Sequence, residues 1–593
     1  MRLPGQGEAL GQPERIDPAT VAGMFVEARP KHGAYALAQR SGGAYGYGDA
    51  ILDINKDGRT VASIERDSKD GYQHRAYTFT PDGQTIVSGG ANGFLTAYDL
   101  NGKKLGDFVG HDSDVWAVTA SPDGRLLASG SGDQTIRLWN LKTRELIVTL
   151  FHGSDGEWVM WTPQGYYTAS PGADKIVGWQ INKGPQSAAE YVGAEQLRQN
   201  LNRPDIVEKA IVLASAEQAV RQSPGTSFKL ADLLSRPVPR FRIVAPLSGS
   251  VRQGGGAAVK IAIEATPDPV RLIRVQVNGR QVDEQTPAID SGGFGAGERT
   301  LAVPLAKGRN EVRITLANTI GEKTETLTLT HDGDGDLDKR GTLHILAIGV
   351  NDYKGLGKSC GEKGKESCNL DFAGGDARRL ADAVEKRLGP SHDRIDKRVL
   401  VNGGDPKDAP TAVNITDAVE RLRLAKETDT VVLFISGHGK NDGPDYRFLA
   451  TDASWSDGAL RGSTVVPWQT LQGAIEAAKG RRILFIDTCH SGNAYNQRLG
   501  NAAYHANIVA YTAARFDQEA MEDPSLGHGL FTYAVVEGLE GKAVIAPRNE
   551  ISTSSLADYV VGRVGTLAKA LNGAQEPQYF RGRDAQDFVL TRR

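Results

Sequence analysis

Asp487-Thr488-Cys489-His490-Ser491-Gly492 follows the apolar run Ile483-Leu484-Phe485-Ile486, and upstream Ser436-Gly437-His438-Gly439 follows Val431-Val432-Leu433-Phe434-Ile435. Runs of four or five β-branched and aromatic residues that end in Gly and small polar residues read as strands buried on both faces and entering loops. A Cys and a His then sit at the C-terminal ends of two strands, where open α/β sheets place their ligand sites. His438 precedes Cys489 by 51 residues. A thiol needs a nearby base or cation to become a useful thiolate at neutral pH, and a distant His can supply one.

Around these two segments, residues 343–593 alternate strand and helix. Leu343-His344-Ile345-Leu346-Ala347-Ile348-Gly349-Val350 reads as a buried strand, and 376–388 as a helix with apolar residues at 377, 380, 381, 384 and 388. Helices near 412–425 and 468–479 precede the two motif strands. This order implies an α/β domain whose sheet has a parallel core and helices on both faces.

Upstream, residues 46–183 repeat at a spacing near 40. Thr80-Pro81-Asp82-Gly83 recurs as Ser121-Pro122-Asp123-Gly124 and, more loosely, as Thr162-Pro163-Gln164-Gly165, with Asn55-Lys56-Asp57-Gly58 before them. Turns of this type between alternating strands mark propeller blades. The unit resembles a WD40 repeat: Gly110-His111 opens it, Ser129 and Asp133 lie in its middle, and Trp139 ends a strand. The resemblance implies that His111 is a structural member of a buried hydrogen-bond relay. Three clear copies and one weak one leave a four-bladed ring, an open fragment or a partner-completed ring all open. Residues 1–45 read as an N-terminal extension and 184–235 as a helical linker. Residues 236–331 alternate with period two around an Asn278-Gly279 hairpin turn, which argues for a β-sandwich resembling an immunoglobulin-like module. Asp332-Gly333-Asp334-Gly335-Asp336-Leu337-Asp338, within 332–342, reads as an acidic, solvated linker. An EF-hand would require Gly and Glu where Leu337 and Leu343 stand.

The chain of 593 residues is too long for one core. Lys+Arg 69 against Asp+Glu 72 gives a net charge of −3, so no global charge points to nucleic acid or to an anionic membrane. Three Cys exclude a disulfide framework; Cys360 and Cys368 read as loop thiols. No apolar run is long enough to span a membrane, and Met1-Arg2-Leu3-Pro4-Gly5-Gln6-Gly7 shows no hydrophobic signal core. A cytoplasmic location is the expectation.

The ordered segments Asn351-Asp352-Tyr353, Leu370-Asp371-Phe372-Ala373-Gly374-Gly375-Asp376-Ala377, Ser436-Gly437-His438-Gly439 and Asp487-Thr488-Cys489-His490-Ser491-Gly492, with Gly527-His528-Gly529-Leu530-Phe531-Thr532 beyond them, resemble the caspase-like cysteine peptidases. The likeness is to metacaspases and their bacterial relatives, and it covers about 343–593. The resemblance implies an endopeptidase in which Cys489 attacks the scissile carbonyl and His438 polarises the thiol or protonates the departing amine. Backbone N–H groups of Gly439 and Cys489 are candidates for an oxyanion hole. His490, next to Cys489 on an extended segment, points elsewhere. Metacaspases carry Asp two residues before the Cys, so Asp487, Asp376 and Ser436 are the candidate S1 pocket for a P1 Arg or Lys. The competing reading of Asp376 is a carboxylate favoured by a helix N-terminus.

Lys339-Arg340 has the chemistry for self-cleavage. No cofactor is required, but many metacaspases need calcium, and Asp442, Asp445, Asp452 and Asp457 are either hard oxygen ligands or solvated acids. The partners implied are protein or peptide substrates and a protein on the WD40 platform. The rival reading is a non-catalytic caspase-like scaffold or sensor.

Overall fold

The computed structural model describes residues 28–592 apart from 43–46, 171, 183, 226–229, 253, 289–290, 357–366, 443–444, 457–458, 490–502, 504–505, 516–517, 519, 545–548 and 583–586. It divides into two compact units, Met1–Ser235 and Arg236–Arg593.

In the first unit, three antiparallel sheets follow one another. The first holds Lys31–His32, Tyr35–Gly42, Tyr47–Lys56 and Arg59–Glu65; the second holds Ala76–Phe79, Ile86–Gly89, Leu95–Tyr98 and Lys104–Asp107. The third begins with Val115–Ala120, Leu126–Ser131, Thr135–Asn140 and Leu146–His152. The Pro-Asp-Gly turns form because the Asp carboxylate closes them. Asp82 accepts from Thr80 Oγ1 at 2.6 Å and Gln84 N at 3.0 Å, and Gly83 takes the left-handed φ of +68°. Between the second and third sheets, Val87, Leu95, Phe108, Leu127 and Trp139 pack together. Beside them runs the relay: His111 bonds Asp133 at 2.7 Å and Ser129 Oγ at 2.8 Å, and Trp139 Nε1 donates to the same Ser129 Oγ at 2.8 Å.

The structure corrects three boundaries here. Strands begin at Lys31, inside the stretch assigned to an N-terminal extension. The loose repeat copy opens no new blade: Trp158–Trp161 and Tyr167–Ala169 add to the third sheet, which grows to six strands. The short link after His152 explains this, because Gly153 N bonds Glu157 O at 2.7 Å in a tight turn that returns the chain onto the strand it has just left. Residues 184–235 are no free linker either. Helix Pro204–Leu213 buries Ile206, Val207, Ala210 and Ile211, Arg203 N donates to Tyr167 O at 2.8 Å, and Asn140 Nδ2 donates to Ala214 O at 2.9 Å. A sheet that ends a stack without a following blade exposes apolar surface, and these helices cover it.

In the second unit, Phe241–Ala245, Gly256–Ile263 and Gly297–Pro304 form one sheet of a sandwich. Ser250–Arg252, Leu272–Val277, Arg280–Gln285, Gly308–Ala317 and Glu322–His331 form the other. Alternate residues (Val259 and Ile261, Ile273 and Val275, Ile314 and Leu316, Leu327 and Leu329) enter one core. Asn278 and Gly279 have φ of +52° and +77°, the pair of positive values a two-residue type I′ hairpin needs.

The acidic stretch that follows is anchored, contrary to its reading as a solvated linker. Leu337 is buried in the sandwich core, and Asp338 Oδ2 accepts from Lys307 N at 2.7 Å and Gly335 N at 2.8 Å. The sandwich is tied on to the next domain by Gly480 N to Gln281 O at 2.8 Å and Asn507 Nδ2 to Gln276 Oε1 at 2.9 Å.

That domain has a central sheet in the order Arg394–Val401, Thr342–Gly349, Thr430–Asp442, Arg481–Cys489, Val509–Thr512, Gln578–Phe580. The first five run parallel and the last antiparallel. Period two divides the apolar runs between its faces. Val431, Leu433 and Ile435 meet helices Ala412–Glu420 and Trp468–Ala477. Val432 and Phe434 meet Ala373–Leu388, Leu530–Glu537 and Thr553–Ala570. Both faces are covered, which is why the runs are continuous rather than alternating. The first crossover helix, Ala373–Leu388, and the second, Ala412–Glu420, lie on opposite faces, so the strand order reverses beside Thr342–Gly349. Such a switch point opens a crevice beyond the C-terminal strand ends.

Candidate functional site

The motif residues meet at the C-terminal strand ends through strand register. In the parallel pair Thr430–Asp442 and Arg481–Cys489, Ser436 lies opposite Asp487, Gly437 opposite Thr488 and His438 opposite Cys489. Ser436-Gly437-His438 and Asp487-Thr488-Cys489 are thus neighbours residue by residue. The side chain of Cys489 and all of His490 lie outside the described residues.

His438 is buried and held on two sides. Its N–H donates to Tyr353 Oη at 2.8 Å, and the Tyr353 ring lies 4.8 Å from the imidazole. Its Nε2 bonds the carbonyl of Cys368 at 2.8 Å. A carbonyl only accepts, so Nε2 carries the proton and the lone pair of the neutral ring is on Nδ1. Cys368 lies in a loop, as expected, with its thiol buried in the core, and Cys360 lies outside the described residues. Gly437 has φ of +150°, and a Cβ there would stand 2.6 Å from Tyr353 Oη; the chain passes too close to the tyrosine for any side chain.

Gly439 pairs with Phe448 in the antiparallel extension of the strand. A Cβ on Gly439 would lie 1.9 Å from Tyr446 Oη, and that hydroxyl donates to Thr488 Oγ1 at 2.9 Å. Gly439→Ala should therefore push a buried tyrosine off Thr488 and lower stability by about 1–3 kcal/mol. Urea denaturation should show the loss, and an unchanged midpoint would contradict it.

The two acidic residues converge from a strand and a helix. Asp487 shares strand parity with Phe485, so it points to the face of helix Leu530–Glu537, where Thr532 Oγ1 donates to it at 2.6 Å. Asp376, in the first turn of helix Ala373–Leu388, has the helix N-terminus position that sequence suggests, but it is also turned into the site. Its Oδ1 bonds His528 Nδ1 at 2.6 Å and its Oδ2 accepts from Gly529 N at 2.9 Å. A Cβ on Gly529 would lie 3.1 Å from Asp376 Oδ2 and 3.2 Å from Asp487 Oδ2, so the two carboxyls flank one glycine. Ser436 is buried beside them.

Burial first, then the charge of Asp487, pushes Asp376 up to about 8. Burial pushes Asp487 up to about 6, against the Thr532 hydrogen bond, which lowers it. Burial and then Arg379 push His528 down. The Asp376–His528 contact is therefore a hydrogen bond between neutral groups near pH 7. His528, Gly529 and Thr532 belong to a segment quoted for its likeness but given no role. The signal was available as a Gly-His-Gly run ahead of a helix.

A carboxyl whose folded value is about 8 holds a proton that the unfolded chain, titrating near its ordinary value of about 4, has already released. Its stabilising protonation is complete below about pH 4 and lost as pH rises towards 8. Asp376→Asn removes that dependence. It should be more stable than the parent protein at pH 8, by on the order of a few kcal/mol and so with a higher Tm, and should melt with the parent at pH 4. Equal melting at both pH values would show that the carboxyl carries no such cost.

The remaining candidates are placed differently. Lys339 and Arg340 are exposed; Lys339 Nζ lies 2.7 Å from Asp336, and Arg340 bonds the carbonyl of Pro390. Buried Leu337 on one side and strand residue Thr342, whose N donates to Asp429 at 2.7 Å, on the other leave little free chain around them. Asp452 accepts from Ala412 N at 2.9 Å and caps helix Ala412–Glu420, so it acts as a backbone acceptor. The side chains of Asp442 and Asp445, and all of Asp457, lie outside the described residues. Among the described residues, no group of three His, Cys, Asp or Glu is placed to hold a metal ion.

Residues 102–140 match the WD domain, G-beta repeat family. The match spans the His111–Ser129–Asp133–Trp139 relay and the strands Val115–Ala120, Leu126–Ser131 and Thr135–Asn140. No curated protein matches the chain. WD40 repeats commonly bind protein partners, so the repeat region suggests a protein-interaction platform. No helix among the described residues is long and apolar enough to cross a membrane.

Proposed function

We propose that residues 343–593 form a caspase-like cysteine endopeptidase that cleaves after Arg or Lys, and that the WD40 repeats carry a protein partner that directs it. The observation that carries this reading is the pair of buried carboxyls, Asp376 and Asp487, beside the strand ends where His438 and Cys489 are register partners. Two buried acids with raised values are costly unless a cation enters, and a guanidinium matches two carboxylates with its planar fork.

In the reaction, the Cys489 thiol gives its proton to Nδ1 of His438 and the thiolate adds to the scissile carbonyl carbon. The C=O electron pair moves to oxygen, where the Gly439 and Cys489 N–H groups are the proposed donors. The C–N bond then breaks as imidazolium returns the proton to the departing amine, leaving a thioester that water hydrolyses. The Nε2 bond to Cys368 O keeps the ring in the tautomer this requires.

Labelling with a peptidyl-arginyl chloromethyl ketone tests the reading on the full chain. Mass spectrometry should find the adduct on Cys489, and His438→Ala should slow its formation by roughly 10²-fold or more. An unlabelled Cys489 under conditions that leave the fold intact would favour the scaffold reading. An adduct formed equally fast by an aspartyl ketone would remove the proposed specificity.

A further inference from the structure

The junction between the sandwich and the α/β domain encloses a cleft of about 260 Å³. Its walls come from the Asn278-Gly279 hairpin, the 306–309 loop, the end of the acidic connector and the start of the strand Arg481–Cys489. Arg280, Lys307, Arg309, Arg481 and Arg482 line it, against Asp338 alone among carboxylates.

That carboxylate already has one oxygen bonded to the N–H groups of Lys307 and Gly335. The guanidiniums are met by carbonyls and an aromatic ring. Arg280 Nη1 donates to Leu337 O at 2.9 Å, Arg482 Nη1 donates to Glu476 O at 2.8 Å, and Arg481 Cζ lies 5.1 Å over the Phe588 ring. Arg482 is buried, and its Nε has no hydrogen-bond partner among the described residues. Burial, with the charge of Arg481, pushes Arg280 down to about 9, and burial, with that of Arg274, pushes Arg482 down to about 10. Five cations against the one lining carboxylate, with Glu476 and Glu284 near Arg482, leave an excess of positive charge that raises the free energy of the fold, and an anion between them lowers it.

We propose that this cleft binds a small phosphate-bearing anion, gripped by Arg280 and Arg481 within and by Lys307 and Arg309 at the rim. Guanidinium forks meet phosphate oxygens in pairs. The volume lies below the ~300–1,000 Å³ of drug-sized sites and suits one or two phosphate groups. Arg280 comes from the sandwich and Arg481 from the α/β sheet, so the bound anion clamps the two domains. The inference is independent of the proposed peptidase activity.

Calorimetric titration of the full chain with inorganic pyrophosphate, and in parallel with a nucleoside diphosphate, tests it. Binding tighter than about 1 mM is expected at low salt, weakening as salt rises, with an accompanying rise in Tm. Similar affinities would identify the phosphates as the whole ligand, and a tighter nucleotide would add its base; both support the site. Arg280→Gln combined with Arg481→Gln should weaken binding at least about tenfold. Lys307→Gln combined with Arg309→Gln alters exposed rim residues, so its weakening cannot come from misfolding. Absence of heat and of a Tm shift with both anions, or unchanged affinity in both double variants, would overturn the proposal.

Discussion

On the proposed function, Asp487→Ala is expected to lower kcat/KM for peptides with P1 Arg by about 10³-fold, or ~4 kcal/mol, because it would remove one of the two buried carboxylates proposed to meet the guanidinium. The same change should affect a peptide with neutral citrulline at P1 far less. The pH dependence follows from the raised values of the pair. A P1 cation prefers ionised carboxyls, so its affinity should rise with pH through about 6, where Asp487 loses its proton, and again towards 8 for Asp376. Citrulline peptides should show neither step. Steady-state kinetics between pH 5 and 9 measure both, and a citrulline peptide that tracks the arginine peptide across that range would refute the pocket.

Cys489→Ala is expected to reduce cleavage by on the order of 10⁴-fold or more, since no other group on the strand replaces the nucleophile. Its effect on stability should be small, because the register of Arg481–Cys489 with Thr430–Asp442 is made by backbone pairing and by the apolar run before the motif. The two variants should separate cleanly. Cys489→Ala keeps its affinity for an arginyl peptide and loses turnover; Asp487→Ala loses affinity. A Cys489→Ala protein that retains cleavage in a preparation shown free of other proteases would place the chemistry elsewhere.

Local features of this chain were legible because they are local. The runs 431–435 and 483–486 are continuous and apolar, and a strand covered on both faces needs such a run. The Asn278-Gly279 hairpin and the Pro-Asp-Gly turns carry backbone conformations that few residue pairs adopt. The His111 relay was legible through the resemblance to a WD40 repeat, which implies His, Ser, Asp and Trp in one bonded set within a single blade.

Asp376 was read equally as a helix-end carboxylate and a pocket acid, because a sequence position says where a helix begins and not which way its first turn faces. Three of the four corrected assignments failed for related reasons. The loose repeat copy keeps the repeat's composition, but the link after His152 is too tight to start another sheet. The helices after residue 193 look like any amphipathic connector, and the sheet they cover is visible only in three dimensions. Leu337, one apolar residue in an acidic run, anchors that run to a core built by strands far from it in sequence.

By itself the sequence determined which segments are strands and turns, the repeat at 102–140 and the order of the motif residues, since periodicity and turn chemistry are written within a few residues. Tertiary structure alone decided that Asp376, Asp487 and His528 cluster around Gly529, that His438 and Cys489 are register partners on neighbouring strands, and that five cations meet at a domain junction. Those meetings depend on which helix packs on which sheet face and in what register, and that is set by the packing of the whole core rather than by any stretch of chain.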